Sequence, residues 1–407
     1  MFPLKTSRDT NPVPERSPDV DSCTEPGGGL GSPTIALMRS IVCINGPNLD
    51  LLGSRDPAFY GDWTLARLDE QVVAWGEKLD LEVTCRQSNH EGEVVEALHA
   101  ASASDGVILN PGALTHSSPA VGDAVEACPV PVVEVHLSNV RRRQRWRRRS
   151  FISSPAARSI MGRGPEGYRA ALRHLVNRQS WPVEPVRYGP HPDQVIDLRR
   201  VEGASSAVIL VHGGFWSDVW ASDTMESWAV ELARRGIATA NIEYRRLGSG
   251  GGAIPTTADV ELAIQMSVEW LAVNRFALLG HSAGAHLAAW AAVGGRAKPA
   301  ATVAMSGIFD LRQAAADGLG DRAAAAFDPS LGTAPEGAGR PGSPMALIHG
   351  RDDRLVPAAQ SISYARYLEG LGAAVTLDVV DDSHFEMLDP AANGGSVALS
   401  RLVSGLG

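Results

Sequence analysis

Ser40-Ile41-Val42-Cys43-Ile44-Asn45-Gly46-Pro47-Asn48-Leu49 decides the architecture of the first half of this chain. Ser40–Ile44 is a short, largely β-branched run, and Gly46-Pro47 ends it at once. A run of this kind, bounded by turn residues, reads as a strand buried on both faces. The loop beyond it continues through Leu52-Gly53-Ser54-Arg55-Asp56-Pro57 to Tyr60-Gly61. A free Tyr, with a pKa of about 10, is a poor base at neutral pH. A guanidinium held within roughly 4–6 Å favours the phenolate. Arg55 and Tyr60 on one loop are therefore a pairing that can make a phenol basic.

Working outward, further short runs follow at Leu81–Gln87, Gly106–Leu109 and Val130–Val135. Between and after them lie amphipathic segments at Thr64–Leu79, Gly92–Ser102, Pro119–Ala127 and Gly164–Val176. Strand-like runs alternating with helices predict a parallel sheet covered on both faces. Right-handed crossovers then give a flavodoxin-like, doubly wound domain with its site outside the strands' carboxyl ends. Four prolines mark Gln179–Pro192 as a linker. After it the alternation resumes at Ala207–Val211, Ala238–Ile242, Phe276–Leu279, Ala301–Met305, Ala346–Ile348 and Val375–Val380, which predicts a second α/β unit. The expected division is a tail at 1–38, a first domain at 39–180 and a second at 181–407.

The 407 residues are 44% hydrophobic and 20% charged, as in a soluble globular protein. A net charge of −9 gives no general attraction to nucleic acid or anionic lipid. No apolar run approaches the roughly 18 residues of a membrane span. Cys23, Cys43, Cys85 and Cys128 have no metal-ligand spacing and read as reduced thiols of a cytoplasmic protein. Residues 1–38, rich in Pro, Ser, Gly and Asp, read as a disordered tail without secretory-signal features, and Met38 is a candidate start.

Three further loops accompany the first: Arg86-Gln87-Ser88-Asn89-His90-Glu91-Gly92, Asn110-Pro111-Gly112-Ala113-Leu114-Thr115-His116-Ser117-Ser118 and Glu134-Val135-His136-Leu137-Ser138-Asn139-Val140. Each follows a predicted strand, so all converge on one sheet edge. Together with the Asn45–Gly61 loop, this set resembles the signature of the type II 3-dehydroquinate dehydratases (type II dehydroquinases). The resemblance covers about 140 residues and implies conversion of 3-dehydroquinate to 3-dehydroshikimate and water, without metal or organic cofactor. It implies that Tyr60 is the base, Arg55 stabilises its phenolate and Asn48 orients a water that supports the enolate. His136, positioned by Glu134, is implied as the general acid. Asn110, His116, Leu137 and Ser138 are implied to bind substrate, with Arg147 as a further clamp. Asp123 matches a residue that reaches into a neighbouring subunit's site, and such enzymes typically form trimer-based dodecamers.

Departures from the family pattern fall at Gly122-Asp123, Arg141-Arg142-Arg143 and Arg148-Arg149-Ser150, which bear on the substrate lid and subunit contacts. Arg141–Arg149 holds seven Arg, one Gln and one Trp. By itself that run suggests a nucleic-acid patch. Its position within the lid favours a cationic rim around an anionic substrate's entrance, so no nucleic-acid partner is expected.

In the second half, Gly280-His281-Ser282-Ala283-Gly284 stands between an apolar strand and a helix-like segment. This is the context in which GxSxG means a nucleophile elbow. His212-Gly213-Gly214-Phe215-Trp216 follows an earlier strand and suits an oxyanion loop, with the N–H groups of Gly214, Phe215 and Ala283 as donors. His349-Gly350-Arg351-Asp352-Asp353-Arg354-Leu355-Val356-Pro357 supplies Asp353 as the acid, and Asp382-Ser383-His384-Phe385 supplies His384 as the base. The order Ser, Asp, His is that of α/β-hydrolases. The HGGFW and GHSAGAH segments resemble kynurenine-formamidase-like and related small esterases, which implies hydrolysis of a small ester or amide. Leu247–Pro255 reads as a flexible turn beside the pocket, and Asp310–Ser343 as a small lid.

The joint expectation is a bifunctional cytoplasmic enzyme of small-molecule substrates. The alternative is a dehydratase whose hydrolase half has lapsed and serves assembly.

Overall fold

The computed structural model describes residues 40–55, 62–140, 143–296, 298–335 and 339–407. Tyr60, Arg141, Arg142, Met38, Cys23 and the expected tail lie outside the described residues.

The first half is built on β1 (Ser40–Asn45), β2 (Glu82–Gln87), β3 (Gly106–Asn110), β4 (Val132–His136) and β5 (Arg158–Met161). Their order is β2-β1-β3-β4-β5, with every pairing parallel. Alternate residues of one strand serve opposite faces. Ile108 packs with Leu68, Val72 and Leu172 on one side of the sheet. Val107 and Leu109 pack with Val94, Leu98 and Val121 on the other. Helices therefore cover both faces, the doubly wound flavodoxin-like arrangement. The helix Leu65–Glu77 starts where the Thr64 side chain accepts from the Arg67 N–H, a standard cap for one orphan donor.

The second half contains β6 (Glu184–Arg187), β7 (Val195–Arg199), β8 (Ser206–Val211), β9 (Ala238–Ile242), β10 (Arg275–His281), β11 (Ala301–Met305), β12 (Met345–Gly350) and β13 (Val375–Val380). The order is β13-β12-β11-β10-β8-β9-β7-β6, and only the β6–β7 and β7–β9 pairings are antiparallel. Ile209 and Val211 face one core and Val208 and Leu210 another. This is an α/β-hydrolase sheet, with its sharp turn after the central β10.

Two local readings are corrected. The stretch read as a linker is structured: the helix Glu166–Ser180 runs into it and β6 lies inside it. Pro185 is tolerated there because β6 is the sheet's edge, where a missing N–H breaks no ladder. The glycine-rich turn before Pro255 is shorter than expected, since the helix Ala253–Leu271 begins inside it. Pro255 occupies that helix's first turn, where no partner for an N–H exists. Among the described residues, Cys43, Cys85 and Cys128 are free thiols, and no helix is long and apolar enough to cross a membrane.

Candidate active sites

β1 and β3 are paired through Asn45 and Asn110, so the loops that follow them start side by side. They then press together closely. Gly112 has φ +57°, and a Cβ there would lie 2.8 Å from the Pro47 carbonyl oxygen, which leaves room for glycine alone. Asn48 also takes a left-handed conformation, with φ 65°, one that Asn tolerates better than most residues. Its N–H donates to Asn89 Oδ1 at 2.8 Å, which ties this loop to the one after β2. Arg55 donates to the Asn48 carbonyl at 3.4 Å.

Beneath these loops Tyr168 joins the two strands. Its hydroxyl accepts from Asn110 Nδ2 at 2.7 Å and donates to Asn45 Oδ1 at 2.8 Å. Burial raises the phenol's pKa well above its usual 10, so it stays a neutral bridge. The Asn110 Oδ1 accepts from the Gly112 N–H at 3.3 Å, so this amide also shapes the turn that it opens.

On β4, Glu134 and His136 are two residues apart and so share a face. Glu134 is fully buried. Its Oε1 accepts from His136 Nε2 at 2.9 Å and from Thr115 Oγ1 at 2.5 Å. Its Oε2 accepts from Ser153 at 2.6 Å and Ser159 at 2.5 Å. Burial alone would raise the carboxyl's pKa, but His136 and the serine donors outweigh it and hold the value at about 2. An ionised Glu134 fixes Nε2 as the proton-bearing nitrogen of His136. His116 stacks beside it at 6.5 Å between ring centroids. Its Nδ1 lies 2.6 Å from the Arg149 carbonyl, which only a ring N–H can satisfy. Burial lowers its pKa, which favours the neutral ring. Nε2, without a partner among the described residues, is then a lone-pair acceptor.

A cavity of ≈ 90 Å³ gathers Asn48, Arg55, Asn110, His136, Leu137, Ser138 and Arg147. The Leu137–Ser138 backbone is steadied by the Gly162 and Gly164 N–H groups, which donate to the His136 and Leu137 carbonyls at 3.0 and 2.9 Å. Arg143 also lines the cavity and donates to Ser138 Oγ at 3.5 Å. Sequence reasoning left it undifferentiated in the arginine run. Asp123 is elsewhere, exposed on the helix Pro119–Ala127 beside a hollow with Glu126 and Phe151. Tyr168 and the two serines were also missed. Tyr168's only sequence signal is a polar-tipped aromatic within the predicted last helix.

In the second half, Ser282 sits between β10 and the helix Ala283–Gly294 with φ 56° and ψ −122°. A non-glycine residue held there is strained, as expected of a nucleophile elbow. Its N–H donates to the Met305 carbonyl at 2.8 Å. The HGG loop lies directly over it: a Cβ on Gly213 would meet Ser282 Cβ at 2.8 Å. Gly214 and Phe215 follow with φ 108° and 51°. Trp220 packs on Gly214 and stacks with Phe385 at 5.7 Å. Phe327, from the expected lid, stacks on Trp216 at 4.7 Å.

His384 Nδ1 lies 2.6 Å from Asp353 Oδ2. Asp353 Oδ1 accepts from the Leu355 and Val356 N–H groups at 2.9 and 2.8 Å, which aims the carboxylate. His349, missed from sequence, stands 3.4 Å from the same Oδ2. Burial works to raise the Asp353 pKa, yet His349 and His384 drive it far below the usual carboxylate range. His281 Nε2 is 2.9 Å from the His384 carbonyl, which braces His384 against the turn that carries Ser282. Ser282 Oγ is buried and has no hydrogen-bond partner among the described residues. The Asp–His pair and the elbow are thus assembled, without the Ser–His hydrogen bond. Among the described residues no group of three or more His, Cys, Asp or Glu could hold a metal.

Comparison with known proteins divides along the same two sheets. The family model "Dehydroquinase class II" matches residues 39–176, and BD-FAE matches residues 197–315. A 3-dehydroquinate dehydratase 2 of Ralstonia nicotianae is 49% identical over 146 residues, covering 34% of this chain and 94% of that protein. A catabolic 3-dehydroquinase 1 of Aspergillus fumigatus is 45% identical over 138 residues, 34% of this chain and 92% of that protein. Among solved structures, an esterase/lipase from an uncultured bacterium aligns at 20% identity over 56% of this chain and 83% of its own, with TM-score 0.45. The second α/β half is one that the BD-FAE model matches in part, and through residues 39–176 the chain belongs to the type II dehydroquinase family.

Proposed function

We propose that this chain dehydrates 3-dehydroquinate to 3-dehydroshikimate and carries a second, serine-hydrolase centre for a small ester or amide. The observation that carries the first part is the buried Glu134–His136 pair at the wall of a cavity lined by Asn48, Arg55 and Arg147. Tyr60, beside Arg55 in sequence, removes the proton next to the substrate's ketone, and the electron pair moves onto the ketone oxygen. Asn48 holds a water against that enolate. When the enolate collapses, the C–O bond to the tertiary hydroxyl breaks and His136 protonates the leaving oxygen, so water departs. Ionised Glu134 balances the imidazolium that this requires and leaves Nδ1 as the transferring nitrogen. His116 accepts a substrate hydroxyl, while Asn110, Ser138 and the Leu137 backbone fix the ring. Arg147 and Arg143 clamp the carboxylate. Asp123 completes a neighbouring subunit's site within a trimer-based dodecamer, and the enzyme works in the cytoplasm without a cofactor.

In the hydrolase half Ser282 attacks a carbonyl and His384 takes its proton, with Asp353 holding the imidazole. The Gly214, Phe215 and Ala283 N–H groups receive the oxyanion. The unbonded Ser282 Oγ favours a second reading, a lapsed hydrolase that serves assembly. The test is a double dissociation. Tyr60→Phe abolishes dehydration and spares turnover of an activated ester, whereas Ser282→Ala does the reverse. Loss of both activities in either variant refutes two independent centres. Failure of a fluorophosphonate to label Ser282 selects the lapsed reading.

A further inference from the structure

A cavity of ≈ 660 Å³ belongs to neither proposed centre. It opens between the two halves and has a size ordinary for small-molecule sites. Six arginines line it against four carboxylates. Its floor is already paired. Arg158 of β5 contacts Asp197 at 3.5 Å and Glu243 at 3.3 Å, and Arg246 contacts Glu243 and, at 3.1 Å, Asp193. Arg178 and Arg187 line the same cavity from the helix Glu166–Ser180 and from β6, and neither makes an ion pair among the described residues. Two guanidiniums without an ion pair on one cavity's lining call for an anion, and a carboxylate fits their fork geometry.

The same lining carries hydroxyls. Ser153 and Ser159 both line this cavity while donating their hydroxyl protons to Glu134. Their oxygens keep lone pairs that accept only from a donor, so a ligand's own O–H groups suit them. Exposed Ser154 adds a hydroxyl beside them. Val140 and Arg147 line this cavity as well as the dehydratase cleft and form a partition between the two.

We propose that the cavity between the halves is a second binding site for a small polyhydroxylated carboxylate, its carboxylate on Arg178 and Arg187 and its hydroxyls on Ser153 and Ser159. The occupant contacts the serines that hold Glu134, so the dehydratase centre feels its presence without sharing its site. The coupling rests on the assignment of Glu134 and His136 to that centre; the binding itself does not.

Quinate, which carries one carboxylate and several hydroxyls, is the probe. Calorimetric titration of the full chain is expected to give two equivalents per chain. The Arg178→Ala/Arg187→Ala variant is expected to retain one, with the other weakened at least about tenfold. Arg187→Glu alone, at an exposed position, gives the same loss if the double variant folds poorly. Inhibition of dehydration by quinate changes from mixed in the parent to purely competitive in the variant. One equivalent in the parent, or two undiminished in both variants, overturns the site. The binding count is read without catalysis, so absence of dehydratase turnover refutes the proposed function while leaving this test intact.

Discussion

Glu134 is the residue on which the first centre turns, because a carboxylate without water contact needs donors for its lone pairs. It has four: Thr115, His136, Ser153 and Ser159. Its pKa is depressed from the ordinary 4.5 to about 2, so the stability it contributes is complete above about 4.5 and is lost as pH falls through about 2. Removing both serines in Ser153→Ala/Ser159→Ala takes away donors to a charge, each contributing on the order of 1.5–3 kcal/mol. The pKa then rises toward 4.5, and the acid limb of kcat/KM moves to higher pH while turnover at neutral pH persists. An unmoved acid limb shows that the serines are passive. The pairing of Glu134 with His136 was legible in sequence, since residues i and i+2 of a strand share a face. The serines were not. They lie 19 and 25 residues from Glu134, and nothing in a local pattern ties a distant hydroxyl to a particular carboxylate.

At the scale of elements, the buried strands were legible because apolar runs bounded by turns have one physical reading. Three strands escaped notice, β5, β6 and β7, and of these β5 is four residues long and begins Arg158-Ser159. A polar start contradicts the buried-strand pattern until its surroundings are known. Arg158 is charged because the second half brings Asp197, Asp223 and Glu243 against it, at 3.5, 4.0 and 3.3 Å. Ser159, next in line, points instead to Glu134. Arg158→Ala leaves buried carboxylates short of a cation, a loss of about 3–5 kcal/mol, to be read from the denaturant midpoint of the full chain. Arg158→Lys keeps the charge, loses the fork and falls between. A loss under about 1 kcal/mol in the alanine variant shows that Arg163 and Arg246 suffice.

At the largest scale, a charged seam joins the two described halves. Arg163 donates to both Asp223 oxygens at 2.6 and 2.9 Å, and Asn139 donates to Asp218 at 3.1 Å. Sequence could not show this, because two domains read separately give no register between them. Behind the seam lies His174, buried and without a hydrogen bond among the described residues. Burial, aided by Arg158, lowers its pKa to about 3. The folded state thus resists protonation that the unfolded chain accepts near 6.5. Stability is full above about 6.5 and declines as pH falls toward 3, by about 2 kcal/mol at pH 5 from this residue. His174→Asn should flatten that decline in denaturation series at pH 8 and pH 5; an equal slope in both proteins removes His174 from the seam's acid response.

β5 thus faces two masters through neighbouring side chains: Arg158 belongs to the acids of the second half and Ser159 to the Glu134 carboxylate. Surgery at the proline-rich stretch would therefore yield no two tidy enzymes. A dissected first half would carry bare guanidiniums on its edge strand, and the severed second half a row of orphaned acids, so each fragment would be soluble only to the extent that water could take over the missing counterpart's work.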